Sequence, residues 1–207
     1  MNDSIQKIDL YGGAFSPPGI NHWRIAGHVK EEGAQLVIVP SGPARKKSSM
    51  LTVSGDHLRK LVALGFAGLS HIEIDFYDLD CDYYSTTWEL NDRYRTRHPH
   101  ADIRHVIGAD LVKGGKDGQA EIQRDWFMGD EVWRTLQFIV VASVGFEPNP
   151  ADMPPQSRLV TIPDLCGRSS EIRHRICMGR SFDHLVLADV HAYIAKHRLY
   201  GYASEGK

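Results

Sequence analysis

The chain is short of cysteine, of surplus charge and of long apolar runs, and each shortage removes a class of protein. Its three cysteines, Cys81, Cys166 and Cys177, are odd in number and lack metal-type spacing. They suit a reducing compartment, the cytoplasm, better than a disulfide framework. Lys plus Arg number 24 against 26 Asp plus Glu, a formal net charge of −2 with His neutral. A general nucleic-acid or membrane-surface binder carries a basic excess, so neither nucleic acid nor membrane is expected as a partner. The longest strongly apolar stretch, Leu136 to Phe146, is too short to span a bilayer. The opening MNDSIQKIDLY has no apolar leader segment and runs straight into strand-like sequence, so no signal peptide is expected.

What is present is a folded chain. Apolar residues make up 42% of 207, which excludes whole-chain disorder. The length predicts one domain, 1–207, with a small helical C-terminal portion over 164–207. Strand-like runs at Lys7–Tyr11, Gln35–Val39, Ile72–Phe76, Arg104–Ile107, Phe138–Ala142 and Arg158–Ile162 alternate with helical stripes. The stripes lie at Trp23/Ala26/Val29 (ending at Gly33), Leu58/Leu61/Val62/Gly65, Thr87/Leu90/Tyr94, Glu171–Cys177 and Leu187/Val190/Ile194. Strands separated by helices imply parallel βαβ units, so the fold class is α/β, a doubly wound parallel sheet. Ligands of such sheets bind beyond the carboxyl ends of the strands, and the informative residues should sit there.

Two segments at such positions suit anions. Gly12-Gly13-Ala14-Phe15-Ser16-Pro17-Pro18 follows the first strand and leads through Gly19-Ile20-Asn21-His22 into a helix. Paired glycines let backbone N–H groups approach a polyphosphate, the helix N-terminus adds donors, and His22 can donate to the same anion. The second segment, Gly167-Arg168-Ser169-Ser170-Glu171-Ile172-Arg173, opens a late helix. Either Ser169 or Ser170 could cap it, with Arg173 exposed, or hydroxyls, amides and guanidinium together form a second anion site. Two other clusters read as bland. Pro99 and a strand start keep His98, His100 and His105 from one coordination sphere. Asp78, Asp80 and Asp82 lack the glycine and closing glutamate of a calcium loop and read as a solvated acidic turn. No metal site is expected on the protein, and nothing marks an oligomer interface.

In these motifs the chain resembles the nicotinate/nicotinamide mononucleotide adenylyltransferases, of the HxGH nucleotidyltransferase group. The family opening G-G-[TS]-F-[DN]-P-x-H-x-G-H is matched by GGAFSPPGINH, the central I-G-A-D by Ile107-Gly108-Ala109-Asp110, and the late I-S-S-T-x-I-R by GRSSEIR. Tyr83-Tyr84-Ser85 stands where nicotinate-specific members carry S-Y-T, Trp126 where an aromatic stacks on the pyridine ring, and Leu199-Tyr200 ends the likeness. The resemblance implies a Rossmann-like nucleotidyltransferase fold and transfer of AMP from ATP to nicotinate mononucleotide, or to nicotinamide mononucleotide, with release of pyrophosphate. It implies Gly12, Gly13, Ala14 and Phe15 as a phosphate cradle acting through backbone, and His22, Lys47 and Arg173 as catalytic groups. Ser169 and Ser170 would hold phosphate, Gly108 and Asp110 the adenosine side, and Tyr84, Ser85 and Trp126 the mononucleotide. Mg²⁺ would arrive with ATP, bridging its oxygens.

Four residues depart from the family pattern: Gly19 replaces the first signature His, Ser16 the residue before Pro, Ser143 a phosphate-contacting Arg, and Arg168 a Ser. Losing one preorganised donor can cost about 10²–10³ in rate. Two alternatives therefore stay open, a nucleotide-binding paralogue without catalysis and a transferase with another phosphate-monoester acceptor. Restoring Gly19→His and Ser143→Arg would raise turnover if the site were crippled.

Overall fold

Aliphatic runs of three to seven residues form the strands, and helices cover both faces of the sheet they make. The computed structural model describes residues 5–29, 33–42, 53–70 and 72–203. In chain order the elements are β1 (Lys7–Gly13), α1 (Ile20–Val29), β2 (Ala34–Pro40), α2 (Gly55–Gly65), β3 (Ile72–Ile74), α3 (Tyr77–Asp80) and α4 (Thr87–Arg97). They continue with β4 (Asp102–Gly108), α5 (Glu121–Asp125), α6 (Gly129–Thr135), β5 (Gln137–Ser143), β6 (Ser157–Ile162), α7 (Ser169–Cys177) and α8 (Ala188–His197). The six strands are parallel in the order β3-β2-β1-β4-β5-β6. That order reverses between β1 and β4, and the crevice beyond their carboxyl ends is where a doubly wound sheet binds its ligand.

Each face of the sheet is buried, as parallel strands require. On one side Tyr11 and Ile38 pack with Ala26 and Val29 of α1 and Leu58 and Val62 of α2. On the other, Leu10 and Val39 meet Leu90 and Tyr94 of α4, while Phe138 and Val140 meet Ile122, Val132 and Trp133 of α5 and α6. The C-terminal helices dock on α2: Leu61, fully buried, packs with Ile172 and Ile176 of α7 and Val190 and Ile194 of α8. Truncating such a residue to Ala costs about 2–5 kcal/mol. Near the amino ends of β1 and β4 the register partners Asp9 and Arg104 form a buried bidentate pair, 2.7 and 3.0 Å. Removing one partner of such a pair costs about 3–5 kcal/mol, because the other charge is left uncompensated.

The elements differ from the sequence reading in their ends and in three short helices. β3 stops at Ile74 instead of running to Phe76, because Asp75 turns the chain by accepting the Tyr77 N–H (2.9 Å) at the start of α3. Helices α3, α5 and α6, of four to seven residues, were not expected. They are too short to display a helical period and are held by tertiary packing. The first helix is helical to Val29, and its expected end at Gly33 lies past residues 30–32, outside those described.

Candidate active site

A cavity of about 1000 Å³ opens at the carboxyl ends of β1, β2 and β4. One wall is the end of β1 with Gly12, Gly13 and Ala14, and Gly108 stands at the end of β4. The opposite wall carries Tyr84, Ser85, Trp126 and Phe127. Gly42, beyond β2, closes that wall: a Cβ there would lie 1.9 Å from the Tyr83 carbonyl oxygen, so only glycine permits the approach. The expected cradle, pyridine residues and Gly108 thus share one cavity.

Phe15 holds the glycine turn in shape from beneath. Its φ of 43° lies in the left-handed region, uncommon for a side-chain-bearing residue and a place where local strain is retained by surrounding packing. The ring is buried, edge-on to Tyr11, His22 and Phe66, and underlies Gly13. Phe15 therefore faces the core and leaves the cradle to the backbone.

His22 sits in the first turn of α1, and the local backbone sets its tautomer. The Gly19 N–H donates to His22 Nδ1 at 2.8 Å. A backbone N–H can only donate, so Nδ1 is the acceptor and the neutral ring carries its proton on Nε2. Removal from water pulls the His22 pKa down to about 4, so the ring is a neutral donor near pH 7.

The two anion-directed segments, some 150 residues apart in sequence, lie against each other. Arg173 Nη1 donates to the Ser16 carbonyl (2.5 Å) and Ser169 Oγ to the Pro17 carbonyl (2.8 Å). Ser16 Oγ in turn shares a 2.9 Å hydrogen bond with Tyr200 Oη. Neither serine caps α7: the N-cap is Arg168, with no side-chain cap bond. The first-turn amides are therefore left without a side-chain acceptor, and a helix N-terminus in that condition attracts anions. Ser170 is exposed at this end, and Asp110 is exposed beyond Gly108. His22, Arg173, Ser169, Ser170 and Asp110 are not part of the lining of the large cavity. Lys47 lies outside the described residues.

Gly19 is fixed by contact. A Cβ on residue 19 would stand 1.8 Å from the Gly167 carbonyl oxygen and 2.8 Å from Asn21 Oδ1. The proposed restoration Gly19→His is therefore sterically closed. The loop that bears the late motif occupies the space where the side chain would begin. Ser143, at the end of β5, is half-buried.

On the mononucleotide wall, Ser85 has other duties than those expected. Its hydroxyl donates to Asp78 Oδ1 (2.7 Å) and accepts from Arg93 Nη1 (2.9 Å), so its one proton is already placed. The next residue, Thr86, caps α4 in a capping box with Glu89. Asp78 is buried, 2% exposed, and paired with Arg93, which corrects its reading as part of a solvated acidic turn. Asp82, by contrast, is exposed, and Asp80 pairs with Arg59 at the surface. The sequence held no pattern for Asp78 because its partner Arg93 lies fifteen residues away, on another helix. His105, on β4, lines the cavity floor, hydrogen-bonds Asn91 Oδ1 (3.2 Å), and burial pulls its pKa down to about 4. Trp133 is a core residue, while Trp126 is partly buried and reaches the cavity. Among the described residues no group of three or more His, Cys, Asp or Glu is placed to hold a metal ion.

Comparison with known proteins gives consistent matches along the chain. A protein of Geobacillus thermodenitrificans named "Probable nicotinate-nucleotide adenylyltransferase" is 30% identical over 198 residues, covering 94% of this chain and 86% of its own. One of Bacillus licheniformis with the same name is 26% identical over 199 residues, covering 95% and 99%. Among solved structures, Plasmodium falciparum "nicotinic acid mononucleotide adenylyltransferase complexed with NaAD" superimposes with a TM-score of 0.78 at 22% identity. It covers 97% of this chain and 100% of that one, a likeness of fold. No family model matches the chain.

Proposed function

We propose, for a chain that belongs to the nicotinate-nucleotide adenylyltransferase family, transfer of AMP from ATP to nicotinate mononucleotide, yielding the dinucleotide and pyrophosphate in NAD biosynthesis. The observation that carries this reading is the junction of the two anion-directed segments, Arg173 on Ser16 and Ser169 on Pro17, beside the glycine turn of β1. It gathers backbone N–H groups, an imidazole donor, uncapped helix amides and a guanidinium around one region at the sheet's switch point. Such a donor set suits a polyphosphate.

In this reading the ATP phosphates rest on the Gly12–Phe15 backbone, with His22 Nε2–H and Arg173 donating to their oxygens and Ser170 at the α7 amides. Lys47 is assigned to the same phosphates. Gly108 and Asp110 take the adenosine side, and Tyr84, Ser85 and Trp126 bound the pyridine. The mononucleotide phosphate attacks the α-phosphorus in line and pyrophosphate departs, with no covalent enzyme intermediate. Little proton chemistry is required, so catalysis is positioning and charge stabilisation. Arg173 keeps guanidinium N–H groups for phosphate after binding Ser16, and the neutral His22 donates without needing protonation. Mg²⁺ enters with ATP as part of the substrate, because a set of N–H donors suits anionic oxygens and leaves the cation to the phosphates. A cytoplasmic location fits a chain with three exposed free cysteines; no helix among the described residues is long and apolar enough to cross a membrane.

The test is pyrophosphate release by the purified protein with ATP and Mg²⁺, with nicotinate or nicotinamide mononucleotide as acceptor. Release that requires the nicotinate form supports the assignment. Folded protein that binds ATP and releases nothing with either acceptor refutes it.

A further inference from the structure

The family signature reads His-x-Gly-His, and here it reads Gly19-Ile20-Asn21-His22, so the side chain missing at 19 is matched by one gained at 21. The two changes meet in space. Asn21 Oδ1 stands 2.8 Å from where a Cβ on residue 19 would begin, so the carboxamide fills part of the volume that a histidine there would need.

Hydrogen bonds link the three residues in series. The Gly19 N–H donates to His22 Nδ1 (2.8 Å), and the His22 N–H donates to Asn21 Oδ1 (2.8 Å). Those bonds orient the carboxamide with its oxygen against the backbone. Asn21 is buried, 8% exposed. Among the described residues its Nδ2 has no hydrogen-bond partner, and the atom is not sealed from solvent. Amide N–H groups that meet solvent and bind no protein acceptor are free to donate to a bound ligand. The surroundings of Asn21 say what that ligand is. Gly19 rests on Gly167, two residues before α7, whose first turn is uncapped and whose Ser169 and Arg173 bind the loop that leads to Gly19. Asn21 therefore lies where the two anion-directed segments meet.

We propose that Asn21 is a catalytic residue of this chain, its Nδ2 amide donating to a phosphate oxygen of ATP and supplying the donor that position 19 cannot carry. The inference rests on the adenylyltransferase reading above. Asparagine is a neutral amide donor in place of an imidazole, so the exchange keeps a hydrogen bond and the local charge unchanged.

The experiment compares wild type with Asn21→Ala and Asn21→Asp, using pyrophosphate release with ATP, Mg²⁺ and nicotinate mononucleotide, and thermal melting of each protein. Asp keeps the oxygen that accepts the His22 N–H and removes the donor; Ala removes the donor without adding charge. The proposal expects both variants to lose about 10²-fold or more in kcat/KM, the loss typical of one preorganised donor. It expects the Asp variant to melt with wild type. An Ala variant that turns over within threefold of wild type overturns the proposal, even if Asp is inactive, since added charge alone then explains the Asp result. If Ala does not fold, Asn21→Gly, the family's own residue, takes its place under the same criterion. Wild type without turnover refutes the adenylyltransferase reading instead, which keeps the two failures distinct.

Discussion

Replacing Gly19 by alanine is the sharpest physical test of the site's construction. The added Cβ falls 1.8 Å from the Gly167 carbonyl oxygen, about half an ordinary contact distance, and the group it meets is backbone. Gly167 has no easy retreat. Its φ is +87°, and a Cβ built on it would lie only 2.8 Å from the Leu185 carbonyl oxygen and 3.3 Å from the Ile20 side chain, so space there is tight. Relief must therefore come from parting the α7 loop from the start of α1. Overpacking of this kind costs about 1–3 kcal/mol or more. For a chain of this size each kcal/mol moves the melting temperature by about 2–4 °C, so Gly19→Ala should melt on the order of 5–10 °C below wild type. Turnover should fall with it, because the shift moves the Gly19 N–H that fixes the His22 tautomer and separates Arg173 from Ser16. Gly27→Ala, on the same helix with its Cβ 3.8 Å from Leu69, is the control and should be neutral or slightly stabilising. Differential scanning fluorimetry and pyrophosphate release read both effects. A Gly19→Ala protein that melts with the Gly27→Ala control would show that the close approach does not exist. Gly19→His should then behave no better than alanine, and any gain in turnover would refute the steric argument.

Three further outcomes follow from the same geometry. His22→Ala should lose about 10²–10³ in kcat, the worth of one preorganised donor, with circular dichroism unchanged; turnover near wild type would remove His22 from the site. His22 and His105 are both held near pKa about 4 by burial, below the ordinary 6.5. Between those values the unfolded chain binds protons that the folded one refuses, so stability is full above pH 6.5 and falls as pH drops toward 4, by about 1.4 kcal/mol per pH unit for each group. Urea unfolding across that window should show the slope, and His105→Phe should remove about one proton's share; an unchanged slope would mean that His105 titrates normally. Asp78→Ala leaves the partly buried Arg93 beside Ser85 without its 3.1 Å partner and should cost about 3 kcal/mol in urea unfolding. A loss below 1 kcal/mol would mean that Asp75 alone satisfies the guanidinium.

The sheet was legible in the sequence because its strands are continuous aliphatic runs separated by helical stripes, the pattern that a twice-covered parallel sheet imposes. The glycine turn, His22 and the Arg173 segment stood out because an anion site calls for glycines and helix starts at fixed local spacing, and the fold sets the two segments against each other. What was not legible depends on contacts distant in sequence. Asp78 looks solvated until Arg93 folds against it, and Ser85 looks free until Asp78 takes its proton. Gly19 looks like a lost function until Gly167 is seen against it. Ser169 looks like a cap, yet its hydroxyl goes to Pro17, 152 residues earlier. Local pattern names the segments that handle charge, and only tertiary packing says which donors remain unspent.

The bond between Ser16 and Tyr200 spans almost the whole chain and has a consequence for synthesis. The loop beside the first strand leaves a ribosome well before the phenol that braces it, 184 residues further along. Tyr200 is itself locked in place, buried with Phe182 and α8 in the C-terminal cluster, where its hydroxyl is pushed up to about 12 and stays protonated to bond Ser16. A nascent chain can thus assemble much of its sheet while the loop of residues 12–18 still lacks this brace. That brace forms only after Tyr200 is made, so until then the loop's shape rests on Phe15 and on whatever part of the sheet has packed.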